Sequence, residues 1–578
     1  MRRGLSAVVL FTTMLLTPSA LVRAEERAAL PREALETLRQ LAIQDNGRTK
    51  PLDSFARETL QLITGSPRIG REDPVETVLS IMANPERWQQ VPLVSIPFIP
   101  LREALGLDRT NTQISYNDLV ATRKLMRMLP AIVQKQQREE KLSMLENETM
   151  DAFQRFVALS NLLEQKLHLV PPANPSERVW LPILQPDGYA PPRQEAIRGA
   201  WTGVITAVRT GEVEAVTRAA REAAEVLQHL NRAAYPPPWR LRLEVFYNRV
   251  APFRVARWIY LLAIVGLLIH LTTSVPRLAP MGVPPPSATG LPRPPRTQSL
   301  GTGFPGSVVG MGALVIGFIM HGAGIAMRVI LGGRPPVSNF FETTLWLPFV
   351  AVALALIFER IYRVRYVALA AAILAAITLL LSDHLPLDSS ISPVVAVLHS
   401  NLWLTVHVLT IVASYGALGL AVVLAHLYGW RYLVRPSQPL VLASFETSLY
   451  RVTQVGVVLL AGGIMLGAVW ANASWGRYWG WDPKETWALI TLLWFLAILH
   501  GRFAGWLRGI GVALATIAGF FLLLMTYYGV SFYLVGLHSY AGGHAKPLPP
   551  LLIGYLIVEV AFLLVVGLSA LSRLRRLS

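Results

Sequence analysis

Trp475-Gly-Arg-Tyr-Trp479-Gly-Trp481-Asp482-Pro-Lys484-Glu485 lies between two segments apolar enough to cross a bilayer. That setting decides the fold class. A short aromatic and charged loop between two spans belongs to a polytopic membrane protein, and it lies where water meets lipid. Three tryptophans within seven residues supply flat, polarisable faces and indole N–H donors. Such a surface suits a large planar ligand with an apolar body and a polar edge. Trp and Tyr also gather at both membrane interfaces whatever the function. The residues alone therefore leave two readings open, a ligand site or an aromatic belt with a helix cap.

Working outward, 53% of the 578 residues are hydrophobic and only 15% are charged, with a mean hydropathy of +0.42. This describes a membrane protein that carries a sizeable soluble part. Met1-Arg2-Arg3, the apolar run Leu5–Leu16 and the small-residue site Val22-Arg23-Ala24 read as a signal peptide over 1–24. A retained signal anchor is the alternative, although the run is shorter than the ~20 residues of a spanning helix. The chain has no cysteine. That excludes internal disulfides, a role as thiol reductant, thiolate ligation of a metal and thioether attachment of a haem to this chain.

Residues 25–250 read as a helical extracytoplasmic domain, with helical periodicity over Asn117–Leu169, interrupted at Pro130, and again over Glu195–Ala233. No metal, nucleotide or nucleophile motif stands out there. Residues 251–578 hold about nine apolar spans, near 257–275, 307–331, 341–358, 366–382, 402–428, 452–470, 486–500, 509–529 and 550–571. A Pro- and Gly-rich linker, 276–306, follows the first. The expected fold is thus an all-α polytopic membrane protein with a helical outer domain.

The net charge of +17 suggests nucleic acid only until the arginines are placed. With the soluble domain outside, each inner connection carries several: Arg277, Arg293 and Arg296; Arg360, Arg363 and Arg365; Arg431, Arg435 and Arg451; Arg502 and Arg508; Arg573, Arg575 and Arg576. The outer loop 383–401 has no Lys or Arg, and 530–549 has only Lys546. This is the positive-inside pattern. It puts the tryptophan loop outside and removes the reason to expect a nucleic-acid partner.

Among eleven histidines, four have informative depths. His407 lies just inside the outer end of the fifth span and His538 in the outer loop after the eighth, so both reach the level of the tryptophan loop. Haem, an apolar macrocycle with two propionates, fits a flat aromatic pocket, and two neutral imidazoles on opposite sides of it would form an axial pair for the iron. His500 and His270 fall at the inner ends of spans seven and one and make a second candidate pair, with His321 a rival to His270. Taken singly, a histidine at a span end is more often interfacial or bonded to a carbonyl. His384, His399 and His544 read as exposed loop residues, His168 and His229 as surface.

At this point the residues carry a resemblance. Trp475–Glu485 resembles the WWD signature, W-G-x-x-W-x-W-D-x-K-E, of haem-handling membrane proteins. Leu499-His500-Gly-Arg502, Gly536-Leu537-His538-Ser539-Tyr540, Asn401-Leu-Trp403-Leu-Thr-Val-His407 and Pro336-Val-Ser338-Asn339-Phe-Phe-Glu342 resemble the CcsA (ResC) family of system II cytochrome c biogenesis. The resemblance covers about 257–572. Gln44-Asp45-Asn-Gly47-Arg48-Thr-Lys50-Pro51-Leu52-Asp53-Ser54 and Glu244-Val-Phe-Tyr247-Asn248 resemble the extracytoplasmic segment of fused CcsB–CcsA synthases. No group of spans precedes residue 257, so the CcsB half is expected on a separate chain.

The resemblance implies haem b held at the outer face by Trp475, Trp479, Trp481 and Asp482, with His407 and His538 as iron ligands. It also implies His500 as a ligand within the membrane, with His270 or a partner's histidine opposite. Lys484 or Arg477 would pair with propionates, while Asp482 and Glu485 would cap the following helix. The implied activity is haem transfer to apocytochrome c, as a subunit of a haem–cytochrome c synthase in the inner membrane. The implied partners are a CcsB (ResB)-like protein, apocytochrome c and a thiol-reducing thioredoxin-like protein. A haem transporter without ligase activity and a non-enzymatic assembly scaffold are the alternatives.

Overall fold

The computed structural model describes residues 29–174, 176–273, 305–385, 387–392, 402–538 and 549–575. The expected signal peptide, most of the linker, His399, His544 and the end of the Gly536–Tyr540 motif lie outside them. The described chain forms two compact units, one within residues 29–140 and 145–248 and the other within 141–144 and 249–575. Elements α1 (Arg32–Arg39), β1 (Ala42–Asp45), β2 (Arg48–Pro51), α2 (Leu52–Thr64), α3 (Pro74–Ala83), α4 (Pro85–Trp88), β3 (Pro92–Ser95), α5 (Ile99–Leu105), β4 (Gln113–Ser115), α6 (Tyr116–Thr122), α7 (Lys124–Gln137), α8 (Met144–Leu163), α9 (Pro191–Thr210), α10 (Val213–Leu230) and α11 (Pro238–Val250) come first.

This part is helical, as expected, with two corrections. Pro130 sits inside α7 and does not end it. The breaks fall at Arg123 and Glu139, which take left-handed φ values of 51° and 55°. Likewise Gly211, at φ 75°, divides the second stretch into α9 and α10. Two short antiparallel strand pairs also form, which helical periodicity does not predict. In the first, β1 pairs antiparallel with β2 from Ala42↔Pro51 to Asp45↔Arg48, and Asn46-Gly47 turns the chain with φ of 49° and 74°, the signature of a tight two-residue hairpin. Leu38, Leu52, Leu60, Ile81, Trp201 and Val204 are among the core residues that the helices bury together.

The second unit contains α12 (Pro252–Thr273), α13 (Pro305–Gly332), α14 (Phe340–Tyr362), α15 (Arg365–His384), α16 (Leu402–Val434), α17 (Pro439–Trp475), α18 (Pro483–Phe503), α19 (Ile510–Leu524), a π-helical turn (Met525–Gly529), α20 (Val530–Tyr533) and α21 (Pro550–Arg575). Among the described residues nine helical segments are long and apolar enough to cross a membrane, and each coincides with an expected span. The chain is an all-α polytopic membrane protein. Helix α16 is central and packs on α14, α15, α17, α19 and α21.

Without a hydrophobic driving force between helices in lipid, close backbone approach through small residues has to hold them together. The α12–α13 pair shows how. A Cβ added at Gly310 would meet the Leu267 backbone N at 2.7 Å, one at Gly317 the Tyr260 ring at 2.8 Å, and one at Gly324 the Phe253 ring at 2.9 Å. Both sides of this seam step by seven residues, so it runs along one face of each antiparallel helix.

Two charge networks account for motifs quoted above. In the membrane unit, buried Glu342 accepts from Arg328 at 3.0 Å, from Arg334 at 2.6 Å and from the Ser338 N–H at 2.9 Å, while Asn339 caps the Glu342 N–H at 2.8 Å. The Pro336–Glu342 motif is thus the capped start of α14. In the first unit, Arg48 grips Glu244 with a fork at 2.9 and 2.5 Å. Ser54 donates to the same carboxylate at 2.6 Å, and Asn248 donates to Asp53 at 2.9 Å and to Ser54 at 2.8 Å. The segments 44–54 and 244–248 are therefore one cluster.

Removing one partner of a buried pair strands the other charge, at a cost of about 3–5 kcal/mol. Glu244→Ala should accordingly make the 29–248 part of the intact protein much more sensitive to limited proteolysis. Glu244→Gln, which keeps acceptors for Ser54 and Arg48, should do less harm. Wild-type resistance in the alanine variant would contradict the assignment.

Candidate functional site

The tryptophan loop is built around a capping box. Asp482 precedes α18, and its carboxylate accepts from the Lys484 N–H at 2.9 Å, while Glu485 reaches back to the N–H groups of Gly480 at 2.8 Å and Asp482 at 3.2 Å. This satisfies donors that a helix start leaves unpaired. Trp481 is held between the two bonded amides at φ +56°, a left-handed conformation that costs a bulky side chain about 1–3 kcal/mol. Its ring is 70% exposed and meets Trp479 edge-on at 5.7 Å.

The second oxygen of Asp482 accepts from the Leu537 N–H at 2.7 Å, and the first lies 3.0 Å from His538 Nδ1. One carboxylate thus starts α18 and fixes the turn that carries His538. Burial by itself would raise the Asp482 pKa. Hydrogen bonds from His538, Lys484 and Leu537 outweigh it and hold the carboxyl below the ordinary value of 3.8. The neighbouring Lys484 is half-buried, and its ammonium donates to the Ser531 hydroxyl at 2.8 Å and to the Tyr527 carbonyl at 3.2 Å. That carbonyl belongs to the π-helical turn; such turns recur at functional sites.

His407 comes to the same place from α16. Its Nδ1 lies 2.8 Å from the Gly463 carbonyl. A carbonyl only accepts, so Nδ1 carries the proton and Nε2 keeps its lone pair. The ring rests on α17, where a Cβ at Gly467 would meet His407 Cε1 at 2.6 Å. Gly463, Gly467 and Trp470 follow one another on a single face of that helix. Trp470 stacks parallel to His407, with centroids 6.3 Å apart and planes 8° apart. It also meets His538 at 6.3 Å and Trp475 at 4.6 Å, and Trp475 meets His538 at 5.7 Å.

The structure therefore brings His407, His538, Trp475 and Asp482 together and sets Trp479 and Trp481 apart as a second aromatic pair. Trp470 was missed in the sequence because it counts toward an apolar span. It is buried, and its indole N–H has no partner among the described residues. The loop's Arg477 is exposed and folds against Gly480.

The inner candidates are not gathered in this way. His500 is exposed on α18, its Nδ1 2.8 Å from the Leu496 carbonyl of its own helix. Helix α18 packs on α17 and α19, whereas α12, which carries His270, packs on α13 and α15. His321 is fully enclosed, ringed by Phe253, Tyr260 and Phe349. His426, which the sequence gave no reason to single out, lies 2.9 Å from Glu559 of α21.

The donor set says what the outer cluster can hold. Among the described residues no three His, Cys, Asp or Glu side chains are disposed to hold a bare metal ion. Two imidazoles whose Nε2 atoms have no hydrogen-bond partner among the described residues suit a metal whose remaining ligands come with it, as they do in haem. The unpartnered indole N–H adds a donor for an acceptor group on such a guest.

Comparison with known proteins identifies the family. The profile of a family described as Cytochrome C assembly protein matches residues 337–538, from the capped start of α14 to His538. CcsA of Prochlorococcus marinus subsp. pastoris, a cytochrome c biogenesis protein, is 34% identical over 249 residues, covering 37% of this chain and 77% of the relative. CcsA of Chlamydomonas reinhardtii is 34% identical over 250 residues, covering 40% and 70%. Protein NrfI of Wolinella succinogenes is 30% identical over 529 residues, covering 87% of this chain and 54% of the relative. The chain thus spans about half the length of NrfI.

Two expectations follow from the geometry. Gly467→Ala should push His407 off Gly463 and destabilise the protein by about 1–3 kcal/mol, whereas Gly462→Ala, where an added Cβ meets nothing, should be neutral; thermal unfolding of both variants tests this. The pH dependence of the cap has a defined sign. The folded Asp482 pKa is lowered, so its stabilisation is complete above the ordinary carboxylate range and is lost as pH falls through the lowered value. The stability gap between wild type and Asp482→Asn should shrink on acidification through that range. A constant gap would deny the charge its role.

Proposed function

The chain belongs to the CcsA family of cytochrome c biogenesis proteins, and on that premise we propose that it carries haem b across the membrane and presents it at the outer face for thioether attachment to apocytochrome c. The observation that carries this reading is the convergence of His407 and His538 on Trp470, each with Nδ1 engaged and Nε2 left for a metal. Trp475 lines the same cluster, with Trp479 and Trp481 beside it. The attachment adds the S–H of each apoprotein cysteine across a haem vinyl C=C, with no net oxidation or reduction. The task of the protein is to hold the two reactants in register, which removes the entropy cost of a chance encounter.

The arginines of the inner connections, such as Arg360, Arg363, Arg431 and Arg435, support an orientation in the inner membrane with the tryptophan loop and residues 25–250 outside. His500 is the inner ligand of this proposal. Its exposure on α18, away from the helix of His270, favours a second ligand from a CcsB-like partner chain. A thioredoxin-like protein keeps the apocytochrome thiols reduced, a role that this cysteine-free chain does not supply.

The test is substitution with chemical rescue. His407→Ala and His538→Ala should each lower cytochrome c maturation and weaken haem retention by at least the roughly 10–100-fold that loss of a partner behind a metal ligand costs. Added imidazole should restore part of it by filling the vacant axial position. Normal haem content and maturation in both variants would remove these residues as ligands. Haem retention without maturation in the wild-type protein would leave a transporter.

A further inference from the structure

His407 and His538 are held by different kinds of acceptor. The partner of His407 Nδ1 is the neutral carbonyl of Gly463, at 2.8 Å. That of His538 is the carboxylate of Asp482, at 3.0 Å. The carboxylate is 6% exposed and further fixed by the Leu537 and Lys484 N–H groups at 2.7 and 2.9 Å. A carboxylate draws on the Nδ1 proton more strongly than a carbonyl does, and so makes Nε2 the more basic donor. The turn bearing His538 is not loose, because Asp482 holds it through two adjacent residues.

We infer that the two axial ligands are unequal, with His538, backed by Asp482, retained on the iron and His407, backed by Gly463, the ligand that gives way to an incoming imidazole. This rests on the outer-site reading above. In the exchange the iron–Nε2 bond to His407 breaks and one to the Nε2 of the incoming histidine of the apocytochrome Cys-x-x-Cys-His segment forms. No electron or proton moves: His407 leaves as a neutral imidazole whose Nδ1–H stays on Gly463. Asp482 is then a positioning and tuning residue, and the release order of the haem is written into the backbone and side chain behind each imidazole.

The experiment uses haem-loaded protein with imidazole as the exogenous ligand, and reads the reduction potential. His407→Gly with imidazole keeps the carboxylate-backed ligand, and His538→Gly with imidazole keeps the carbonyl-backed one. The first should have the lower potential, because the stronger donor favours ferric iron; a tenfold preference corresponds to about 59 mV for one electron. Asp482→Asn keeps a helix-capping side chain and a neutral acceptor. It should raise the potential of the His407→Gly protein, where the tethered His538 keeps its bond to residue 482, more than that of the His538→Gly protein. Wild-type protein in excess imidazole should converge on the potential of the His407→Gly complex. Convergence on the His538→Gly complex, equal potentials in the two complexes, or an equal Asp482→Asn shift in both would overturn the inference. An unchanged spectrum in both glycine variants, with no response to imidazole, would instead overturn the ligation reading beneath it.

Discussion

The Asp482 carboxylate is the contact on which the tryptophan-loop site depends. It accepts from the Lys484 N–H to start α18, from the Leu537 N–H to fix the turn after α20, and from His538 to set its tautomer. These three bonds join segments some 55 residues apart in sequence. A buried carboxylate is costly unless its lone pairs are filled, and here the donors that fill them are the groups that need positioning. Gly536 approaches the same carboxylate so closely that a Cβ there would collide with it. The site has little freedom to place His538 anywhere else.

The opposite wall owes its position to packing. His407 reaches the cluster because α17 presents Gly467 to its ring and Gly463 to Ile411 one turn further along α16, which lets the imidazole lie against helix backbone and bond to the Gly463 carbonyl. The same use of small residues sets α13 against α12 through Gly310, Gly317 and Gly324. In lipid, contact has to be made by shape and hydrogen bonds. The buried charges follow that rule: Glu342 has two arginines and a backbone N–H, and Glu359 is paired with Arg365 at 2.5 Å.

Much of this was legible in the sequence, and the failures have physical causes. The spans were readable because bilayer thickness imposes a long apolar window. Their ends were not, because α16 and α17 continue past that window into polar residues, to 33 and 37 residues in all. Pro130 was read as a break, but a helix tolerates the loss of one hydrogen bond where neighbours hold it, and the chain turns at Arg123 instead. His407, His538, Trp475 and Asp482 were identified from depth and resemblance, and they do come together. Trp470, Gly463 and Gly467 carry no polar signal in an apolar run, so only the packing shows what they do. The three loop tryptophans, expected as one surface, divide because the cap at Asp482 turns Trp481 outward.

The two resemblances in the chain also differ in what their residues do. In the first unit, Arg48, Asp53, Ser54, Glu244 and Asn248 satisfy one another, with both carboxylates and the guanidinium matched. A motif whose polar atoms are consumed internally has nothing left to offer a ligand, so it is a structural clamp. Around Trp470 the balance is different. The Nδ1 atoms are consumed, yet two imidazole Nε2 atoms and one buried indole N–H are not. A buried indole N–H without a partner among the described residues, beside two half-buried imidazoles, is an arrangement that a ligand could complete.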